Sequence, residues 1–262
     1  MLGAIAGDII GSVYEFDAHK TKEFPLFTDQ SIFTDDTILT VAVADVLLQG
    51  GTYTDALKRY YRRYPNPSGG YGARFQTWAI SSDSEPYNSW GNGSAMRVSP
   101  VAYVGQDLAA VLEMAEQTAI VTHNHPEGIK GAQATAAAIF LAHQGQSKAA
   151  IKQYVEAQFG YDLERSVDQI RPDYRFNESC QETVPEAIIS FLDSTSFTDA
   201  IRNAVSLGGD ADTLTCITGG IAEAFYGEVP GVILDRVWGL LPDDLKSVIV
   251  QFKATYMPVL KA

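Results

Sequence analysis

Long apolar stretches with helical spacing are the feature that most constrains the fold of this chain. Residues 38–48, with the sequence ILTVAVADVLL, are apolar on nearly every face, which is typical of a buried central helix. Residues 54–64 and 107–119 place apolar side chains on one face and polar side chains on the other. No run of alternating β-branched residues is bounded by turn residues, so the sequence predicts no strands. We therefore expect an all-α fold.

Further helices are predicted along the chain, separated by loops rich in Gly and Pro. The N-terminal residues MLGAIAGD lack a basic leader and end on Asp8, so we predict a core helix there and not a signal peptide. Gly128 and Gly131 would let one alanine-rich helix approach a neighbour closely. The other predicted helices cover residues 131–143, 147–159, 181–192, 198–206, 214–225 and 243–256. Because no linker or repeat interrupts the 262 residues, we expect one compact domain spanning residues 1–262.

The formal net charge of −13 bears on the partners of the protein. Acidic residues are scattered along the chain and repel phosphate backbones, so we expect no bulk binding of nucleic acid. No stretch reaches the roughly 18 to 20 apolar residues that span a bilayer, so no membrane association is expected. The two cysteines, Cys180 and Cys216, cannot form a disulfide framework and lack metal-ligand spacing. We expect a cytoplasmic protein, and a monomer by default.

Two adjacent acids precede the apolar helix of residues 38–48, in the sequence FTDDT. Thr34 is a good helix N-cap, and acids in a first turn suit the helix dipole, so a structural role accounts for one acid. Both Asp35 and Asp36 beside a buried helix exceed that need, because buried charge is costly unless it is paired or bound to metal. For this segment alone, capping and metal binding are equally good interpretations.

A second cluster, GGDADT at residues 208–213, precedes the predicted helix 214–225. Its glycines permit positive φ and close backbone approach. Asp210, Asp212 and Thr213 can turn several oxygens toward one point, and such hard ligands suit Mg²⁺ or Mn²⁺ better than zinc. The structural alternative is a glycine turn followed by a helix cap. If the two clusters meet, their helix N-termini would place metal ligands beside anion-binding amides.

Two further segments carry candidate functional residues. Asp8 and Glu15 lie seven positions apart, so a continuous helix would place them on one face. Their partner would be a cationic side chain in a structural role, or a substrate hydroxyl or metal-bound water in a functional one. His123 and His125 precede Pro126, but no Cys or third His lies nearby to complete a zinc site. We interpret His123 as a loop residue that contacts a ligand, with a structural histidine as the alternative.

Together these motifs resemble those of the ADP-ribosylglycohydrolase family. The matching segments appear in family order: GD and GSVYE within residues 7–15, FTDDT at 33–37, YG at 71–72, SWGNGSAMR at 89–97, TH at 122–123 and GGDADT at 208–213. Each segment alone is weak, but the combination is highly specific and covers most of the chain. The resemblance implies an all-α, orthogonal helical bundle with a binuclear Mg²⁺ or Mn²⁺ centre.

The resemblance also implies roles for individual residues. The protein ligands of the two metal ions would be Thr34, Asp35, Asp36, Asp210, Asp212 and Thr213. ADP-ribose would lie across a cleft with its distal ribose at the metals, where Glu15 would gate or assist the reaction. The diphosphate, the ribose or the adenine would be held by Gly72, Ser89, Trp90, Asn92, Gly93 and His123.

We therefore expect a metal-dependent hydrolase that cleaves the glycosidic bond between ADP-ribose and an acceptor. The substrate would be an ADP-ribosylated protein or a small ADP-ribose conjugate. Asp36 or Glu15 would act as general base or relay, and the sequence does not choose between them. An arginine linkage is slightly favoured over a serine or O-acetyl linkage, because THNHP at residues 122–126 resembles arginine-directed bacterial members. Residues 20–30 are expected to shape access to the cleft.

Two alternatives from other functional classes remain open. A non-catalytic ADP-ribose sensor would bind the ligand without cleaving it. A metal-dependent phosphohydrolase of nucleoside diphosphate sugars would use a similar acidic site to release AMP and ribose phosphate.

Overall fold

The computed structural model describes residues 1–257 and confirms the predicted all-α fold: within this range the chain forms helices and no β-strand. The helices are α1 (Leu2–Gly11), α2 (Asp35–Gln49), α3 (Tyr53–Arg63), α4 (Ala73–Ile80), α5 (Gly93–Met96), α6 (Leu108–Ile120), α7 (Pro126–His143), α8 (Lys148–Phe159), α9 (Val167–Ile170), α10 (Cys180–Leu192), α11 (Phe197–Val205), α12 (Ala211–Tyr226), α13 (Gly231–Leu240) and α14 (Asp243–Tyr256), with a 3-10 helix at Ser99–Tyr103. No helix in the described part of the chain is long and apolar enough to cross a membrane.

The centre of the fold is the packing of α1 against α12. Every residue of α1 is buried. Its glycines recur every four positions, and a Cβ atom added at Gly7 would lie 2.0 Å from the carbonyl oxygen of Thr215 on α12. A Cβ atom at Gly3 would lie 2.2 Å from the carbonyl oxygen of Gly219. Only glycine allows this approach, which brings Asp8 on α1 next to the N-terminal end of α12.

The helix of Asp8 does not continue to Glu15, so the prediction of one helical face for both acids was wrong. Helix α1 ends at Gly11, and the amide of Tyr14 donates to the carbonyl oxygen of Gly11 at 2.8 Å, as in a tighter turn. The hydroxyl of Ser12 donates to the carbonyl oxygen of Ile9 and accepts the amide of Ile32. Glu15 therefore lies in a turn beyond the helix and is free to face a different direction from Asp8.

Helix α7 begins five residues before its predicted start at residue 131. The Nδ1 atom of His125 accepts the amide of Glu127 at 3.1 Å, and Pro126 occupies the first helical position. Gly131 packs on α10 as expected, since a Cβ atom there would lie 2.3 Å from Sγ of Cys180. Gly128 instead faces a loop, where its Cβ atom would lie 2.6 Å from the carbonyl oxygen of Ser89.

Residues 20–30 pack against α11 and are not among the residues that line the cavity described below, so their effect on access to it stays a prediction. The Arg202 guanidinium donates to the carbonyl oxygens of Lys22 and Phe24 at 2.6 and 2.9 Å. Lys22 also forms an ion pair with Asp199 at 2.5 Å. These contacts fix the chain that follows the Glu15 turn.

Candidate active site

A cavity of about 390 Å³ collects most of the residues that the sequence motifs singled out. This volume lies within the usual range of small-molecule sites. Eleven of the thirteen predicted site residues line it: Glu15, Asp35, Asp36, Gly72, Ser89, Asn92, Gly93, His123, Asp210, Asp212 and Thr213. Thr34 lies behind this lining, and Trp90 does not reach it.

The first acidic cluster forms the N-terminus of α2, and part of its role is structural. Thr34 is the N-cap, and its hydroxyl oxygen accepts the amide of Asp36 at 3.2 Å. The Oδ1 atom of Asp36 accepts the hydroxyl of Thr213 at 3.4 Å, so the N-termini of α2 and α12 meet as expected. The Oδ2 atom of Asp36 is buried and has no hydrogen-bond partner among the described residues. Capping therefore explains Thr34 but not the second acid.

Asp8 supports this cluster from behind. Its carboxylate accepts the amide of Thr34 at 3.0 Å, the hydroxyl of Thr34 at 2.7 Å, the amide of Thr37 at 3.1 Å and the hydroxyl of Thr37. Burial raises the pKa of Asp8 to about 6, although the hydrogen bonds from Thr37 and Thr34 oppose the shift. The partner of Asp8 is thus the start of α2, which neither sequence interpretation had named.

The second acidic cluster begins α12 and is held by side-chain contacts. The side-chain Nδ2 atom of Asn92 donates to Oδ2 of Asp210 at 2.7 Å and to the hydroxyl of Thr183 at 3.1 Å. The backbone amide of Thr213 donates to Oδ1 of Asp212 at 2.9 Å. Asn92, which the motif assigned to the substrate, therefore also orients a carboxylate.

The two glycines before this cluster serve packing. Gly208 has φ of +64°, and a Cβ atom there would lie 2.5 Å from the carbonyl oxygen of His19. A Cβ atom at Gly209 would lie 2.3 Å from the ring of Tyr174. The expected positive φ is confirmed at Gly208, where it allows the turn to pass beneath the chain that follows Glu15.

Glu15 joins the second cluster at the cavity wall. One carboxylate oxygen each from Glu15, Asp210 and Asp212 lie within 4.8 Å of one another. Gly69, with φ of +74°, leaves space for Glu15, because a Cβ atom there would lie 2.5 Å from Oε2. Burial, followed by the charges of Asp210, Asp8 and Glu178, raises the pKa of Glu15 to about 7.

The acids of the two clusters lie close together and have no cationic ion-pair partner among the described residues to stabilise their charged forms. Burial, reinforced by neighbouring carboxylates, raises the pKa of Asp35, Asp36 and Asp212 well above the ordinary value. None of the ion pairs within residues 1–257 includes an acid of either cluster. A set of oxygen donors with one orphaned carboxylate oxygen and no cationic side chain fits a hard divalent cation.

The same cavity is lined by cationic and aromatic side chains that the sequence analysis left without a role. Arg97 is fully buried, and its guanidinium donates to the carbonyl oxygen of Thr118 at 2.9 Å and to the hydroxyl of Thr122 at 2.7 Å. Arg74 lies 5.1 Å over the ring of Tyr87. The cavity thus combines a carboxylate cluster with fixed positive charge, an arrangement suited to a ligand with an anionic part.

Trp90, which the motif assigned to the substrate, is not among the residues that line the cavity. Trp90 is 48% exposed, and its ring packs edge-on against His125 at 5.6 Å. Phe16 and Phe176 line the cavity instead and are 76% and 43% exposed. Their rings stack at 5.8 Å with an interplanar angle of 24°. Phe16 directly follows Glu15, which is the signal that could have identified it.

We predict that the metal-chelated protein becomes less stable as the pH rises. In the folded state the pKa values of Glu15 and Asp8 are about 7 and about 6, above the ordinary values of 4.5 for Glu and 3.8 for Asp. At pH values between the ordinary pKa and the raised pKa of each carboxyl, the folded state binds more protons than the unfolded chain. The free energy of unfolding therefore falls as the pH rises. A divalent cation replaces those protons and should raise the melting temperature more at about pH 8 than at about pH 5.

Thermal melts in chelator and in excess Mg²⁺ or Mn²⁺ at both pH values check this prediction. A melting temperature in chelator that rises from about pH 5 to about pH 8 would contradict it, as would an equal response to metal at both values.

Comparisons with known proteins bear on the family and the fold of the chain. The family model for ADP-ribosylglycohydrolase matches residues 1–256. The ADP-ribosylarginine hydrolase Tri1 of Pseudomonas putida is 28% identical over 87% of this chain and 69% of its own length. The human ADP-ribosylhydrolase ARH3 is 26% identical over 87% of this chain and 84% of its own length. A solved structure described as an ADP-ribosylglycohydrolase-related protein complex superposes with a TM-score of 0.74 at 25% identity, covering 98% of this chain and 96% of that one.

Proposed function

The chain belongs to the ADP-ribosylglycohydrolase family, and from this premise we propose that it is a metal-dependent hydrolase of the glycosidic bond between ADP-ribose and an acceptor. The observation that carries the proposal is the meeting of two buried carboxylate clusters, at Asp36 and Thr213, in a cavity that also contains fixed positive charge. The similarity to two relatives named as ADP-ribosylhydrolases supports the same reaction.

Two Mg²⁺ or Mn²⁺ ions would be held by oxygen ligands of both clusters. The ligands proposed are Thr34, Asp35, Asp36, Asp210, Asp212 and Thr213, and Glu15 lies beside Asp210 and Asp212. When bound, the ions would supply Lewis-acid stabilisation of charge at the distal ribose. The hydroxyl of Thr34 already donates to Asp8 and accepts the amide of Asp36, which leaves one lone pair for a ligand role.

Glu15 is the better candidate for the general base or relay. Asp36 is fully buried, and one of its oxygens already accepts the hydroxyl of Thr213. Glu15 is only partly buried at the cavity wall, where its carboxylate can contact a ligand. A carboxylate that reaches the cavity can accept a proton from a water molecule or relay it. We therefore assign the proton transfer to Glu15 and the positioning of the ribose to Asp36.

The anionic and aromatic parts of ADP-ribose would occupy the rest of the cavity. Arg97 and Arg74 supply positive charge there, which the diphosphate requires in a protein of net charge −13. His123 and Gly93 line the same wall. Gly72 is the N-cap of α4 and is exposed, so its backbone is accessible to the ligand.

The acceptor that best fits the cavity mouth is the guanidinium group of an arginine. Phe16 and Phe176 present exposed aromatic faces beside Glu15, and Glu178 adds an exposed carboxylate to the same lining. Aromatic faces attract planar cations, and a carboxylate pairs with a guanidinium through two parallel hydrogen bonds. A serine or O-acetyl linkage carries no cation to use these groups. The name of the Pseudomonas putida relative, an ADP-ribosylarginine hydrolase, agrees with this choice.

Removing the aromatic face should therefore penalise the arginine linkage selectively. We expect Phe176→Leu to lower kcat/KM for ADP-ribosyl-arginine by about tenfold, and to change the value for a serine-linked substrate by less than about twofold. Phe176→Tyr, the matched control, keeps the aromatic face and should retain the arginine rate. Equal losses on both linkages with Phe176→Leu would contradict an acceptor role for this pair.

The identity of the products tests the proposed function. Purified protein is incubated with ADP-ribosyl-arginine and Mg²⁺ or Mn²⁺, and the products are identified by mass spectrometry. Intact ADP-ribose and free arginine are expected. AMP with a ribose phosphate product would instead indicate a phosphohydrolase, and tight binding without any cleavage would indicate a sensor.

A further inference from the structure

A chain of three buried polar groups runs from α5 to the cavity wall. The guanidinium of Arg97 donates to the hydroxyl oxygen of Thr122 at 2.7 Å. That oxygen lies 2.7 Å from Nδ1 of His123. All three side chains are buried, and His123 lines the cavity. No partner of Nε2 of His123 is found among the described residues, so this nitrogen is the end of the chain of contacts.

From this geometry we infer that Arg97 and Thr122 are positioning residues that keep His123 in its neutral form with the proton on Nε2. An arginine can only donate, so the oxygen of Thr122 is an acceptor toward Arg97. Its own proton can then point at Nδ1 at 2.7 Å, which accepts it in this arrangement. The second ring nitrogen carries the ring proton and donates a hydrogen bond into the cavity.

The charges around the ring favour the same state. Burial, followed by the guanidinium groups of Arg97 and Arg74, lowers the pKa of His123 well below its ordinary value. The remaining titratable group beside the ring is Tyr87, whose ring centre lies 6.0 Å away. Burial raises the pKa of Tyr87 to about 12, although the charges of Arg97 and Arg74 and a hydrogen bond with Thr122 oppose the shift. With two cations and a neutral phenol nearby, an imidazolium is disfavoured. A proton on Nδ1 would also direct the N–H dipole toward the positive charge of Arg97.

Two glycines leave room for the His123 ring in its observed position and keep its Nε2 atom uncovered. A Cβ atom at Gly93 would lie 3.2 Å from Nε2, so a side chain there would cover the nitrogen. A Cβ atom at Gly128 would lie 2.8 Å from the carbonyl oxygen of His123. This step rests on the proposed function: the N–H group at Nε2 would donate a hydrogen bond to an oxygen of the diphosphate or of the adjacent ribose. His123 would then be a hydrogen-bond donor and not an acid or a base.

The ring protonation state can be measured without any substrate. Protein labelled with ¹⁵N in its four histidines gives ring nitrogen signals, and the signals of His123 are assigned with a His123→Gln variant. We expect a protonated Nε2 and an unprotonated Nδ1 that do not change between about pH 6 and about pH 8. A proton on Nδ1 would overturn the inference, because Thr122 would then accept from both neighbours and donate elsewhere. An imidazolium within that range would overturn it as well.

The role of Thr122 is tested by a matched pair of variants. Thr122→Val removes the hydroxyl at nearly constant shape and should produce a mixture of the two neutral forms. The Kd for ADP-ribose should rise by about tenfold, with a change in KM and little change in kcat. Thr122→Ser restores the hydroxyl and should restore both the ring signals and the affinity.

The outcomes separate this inference from the proposed function. Unchanged ring signals and unchanged affinity in Thr122→Val would overturn the positioning role. Expected ring signals in a wild-type protein that does not bind ADP-ribose would support the positioning of His123 and contradict the proposed function. If Thr122→Val does not fold, the ring signals of the wild type still decide the inference.

Discussion

Asp36→Asn and Asp212→Asn should each abolish turnover, with kcat lower by about 10² to 10⁴-fold, and leave the fold intact. Asparagine has the shape of aspartate, and its Oδ1 can still accept the hydrogen bond from Thr213 that each aspartate receives. It lacks the negative charge that a divalent cation requires from its ligands. The loss therefore reports on metal binding and not on packing.

The same variants should be more stable than the wild type when metal is removed. Neighbouring carboxylates and burial raise the pKa of Asp36 and Asp212, so each charge destabilises the folded state near neutral pH. Thermal melts in chelator should therefore show higher melting temperatures for both variants, and added Mg²⁺ should stabilise them less than the wild type. Asp107→Asn is the matched control, because Asp107 caps α6 outside the cavity and asparagine caps equally well.

Wild-type rates in both variants would contradict the proposed metal centre. A loss of activity that is accompanied by lower stability in chelator would contradict the expected gain in stability and would trace the loss to a damaged fold. Asp107→Asn should keep the wild-type rate and the wild-type response to metal.

Asp8→Ala should cause the largest loss of stability of any single change considered for this site. The Asp8 carboxylate accepts four hydrogen bonds from Thr34 and Thr37 at the buried start of α2. Removing it leaves two backbone amides without an acceptor, and each buried unsatisfied group costs about 1 to 3 kcal/mol. We expect the free energy of unfolding to fall by about 3 kcal/mol or more, as measured by denaturant titration.

Two comparisons show whether this loss comes from the buried hydrogen bonds. Asp8→Asn keeps an acceptor oxygen and should lose less than Asp8→Ala. Asp107→Ala removes an exposed N-cap with one hydrogen bond, and its loss should be about 1 kcal/mol. A loss in Asp8→Ala no larger than in Asp107→Ala would contradict the role assigned to Asp8.

Patterns that are local in the sequence predicted the fold class and most helices. The apolar run at residues 38–48 lies within α2, and the periodic stretch at 243–256 coincides with α14. The first residues of helices that begin at side-chain caps were harder to predict. The early start of α7 depends on the ring of His125 accepting a backbone amide, which is an uncommon cap. Helix α13, with an exposed and motif-free sequence, was not predicted at all.

Motif order predicted which residues would line the cavity, but not what each would contact. The partner of Asp8 was left open between a cationic side chain and a ligand, and Asn92 was assigned to the substrate; the structure shows the two side chains holding the start of α2 and Asp210. These contacts join segments that are far apart in the chain, and a single sequence does not show which distant segments meet in the fold. Trp90 illustrates the same limit, because its direction depends on packing against His125. Phe16 and Phe176 meet only in three dimensions.

The measurement that most directly tests the central claim is the rate of ADP-ribose release from ADP-ribosyl-arginine by the metal-stripped protein, before and after metal is restored. We predict no release in chelator and full recovery on addition of Mg²⁺ or Mn²⁺, because the two acidic clusters meet and none of their acids forms an ion pair within residues 1–257. Undiminished release in chelator, from protein shown to be free of metal, would contradict the claim that these carboxylates form a metal-dependent hydrolase.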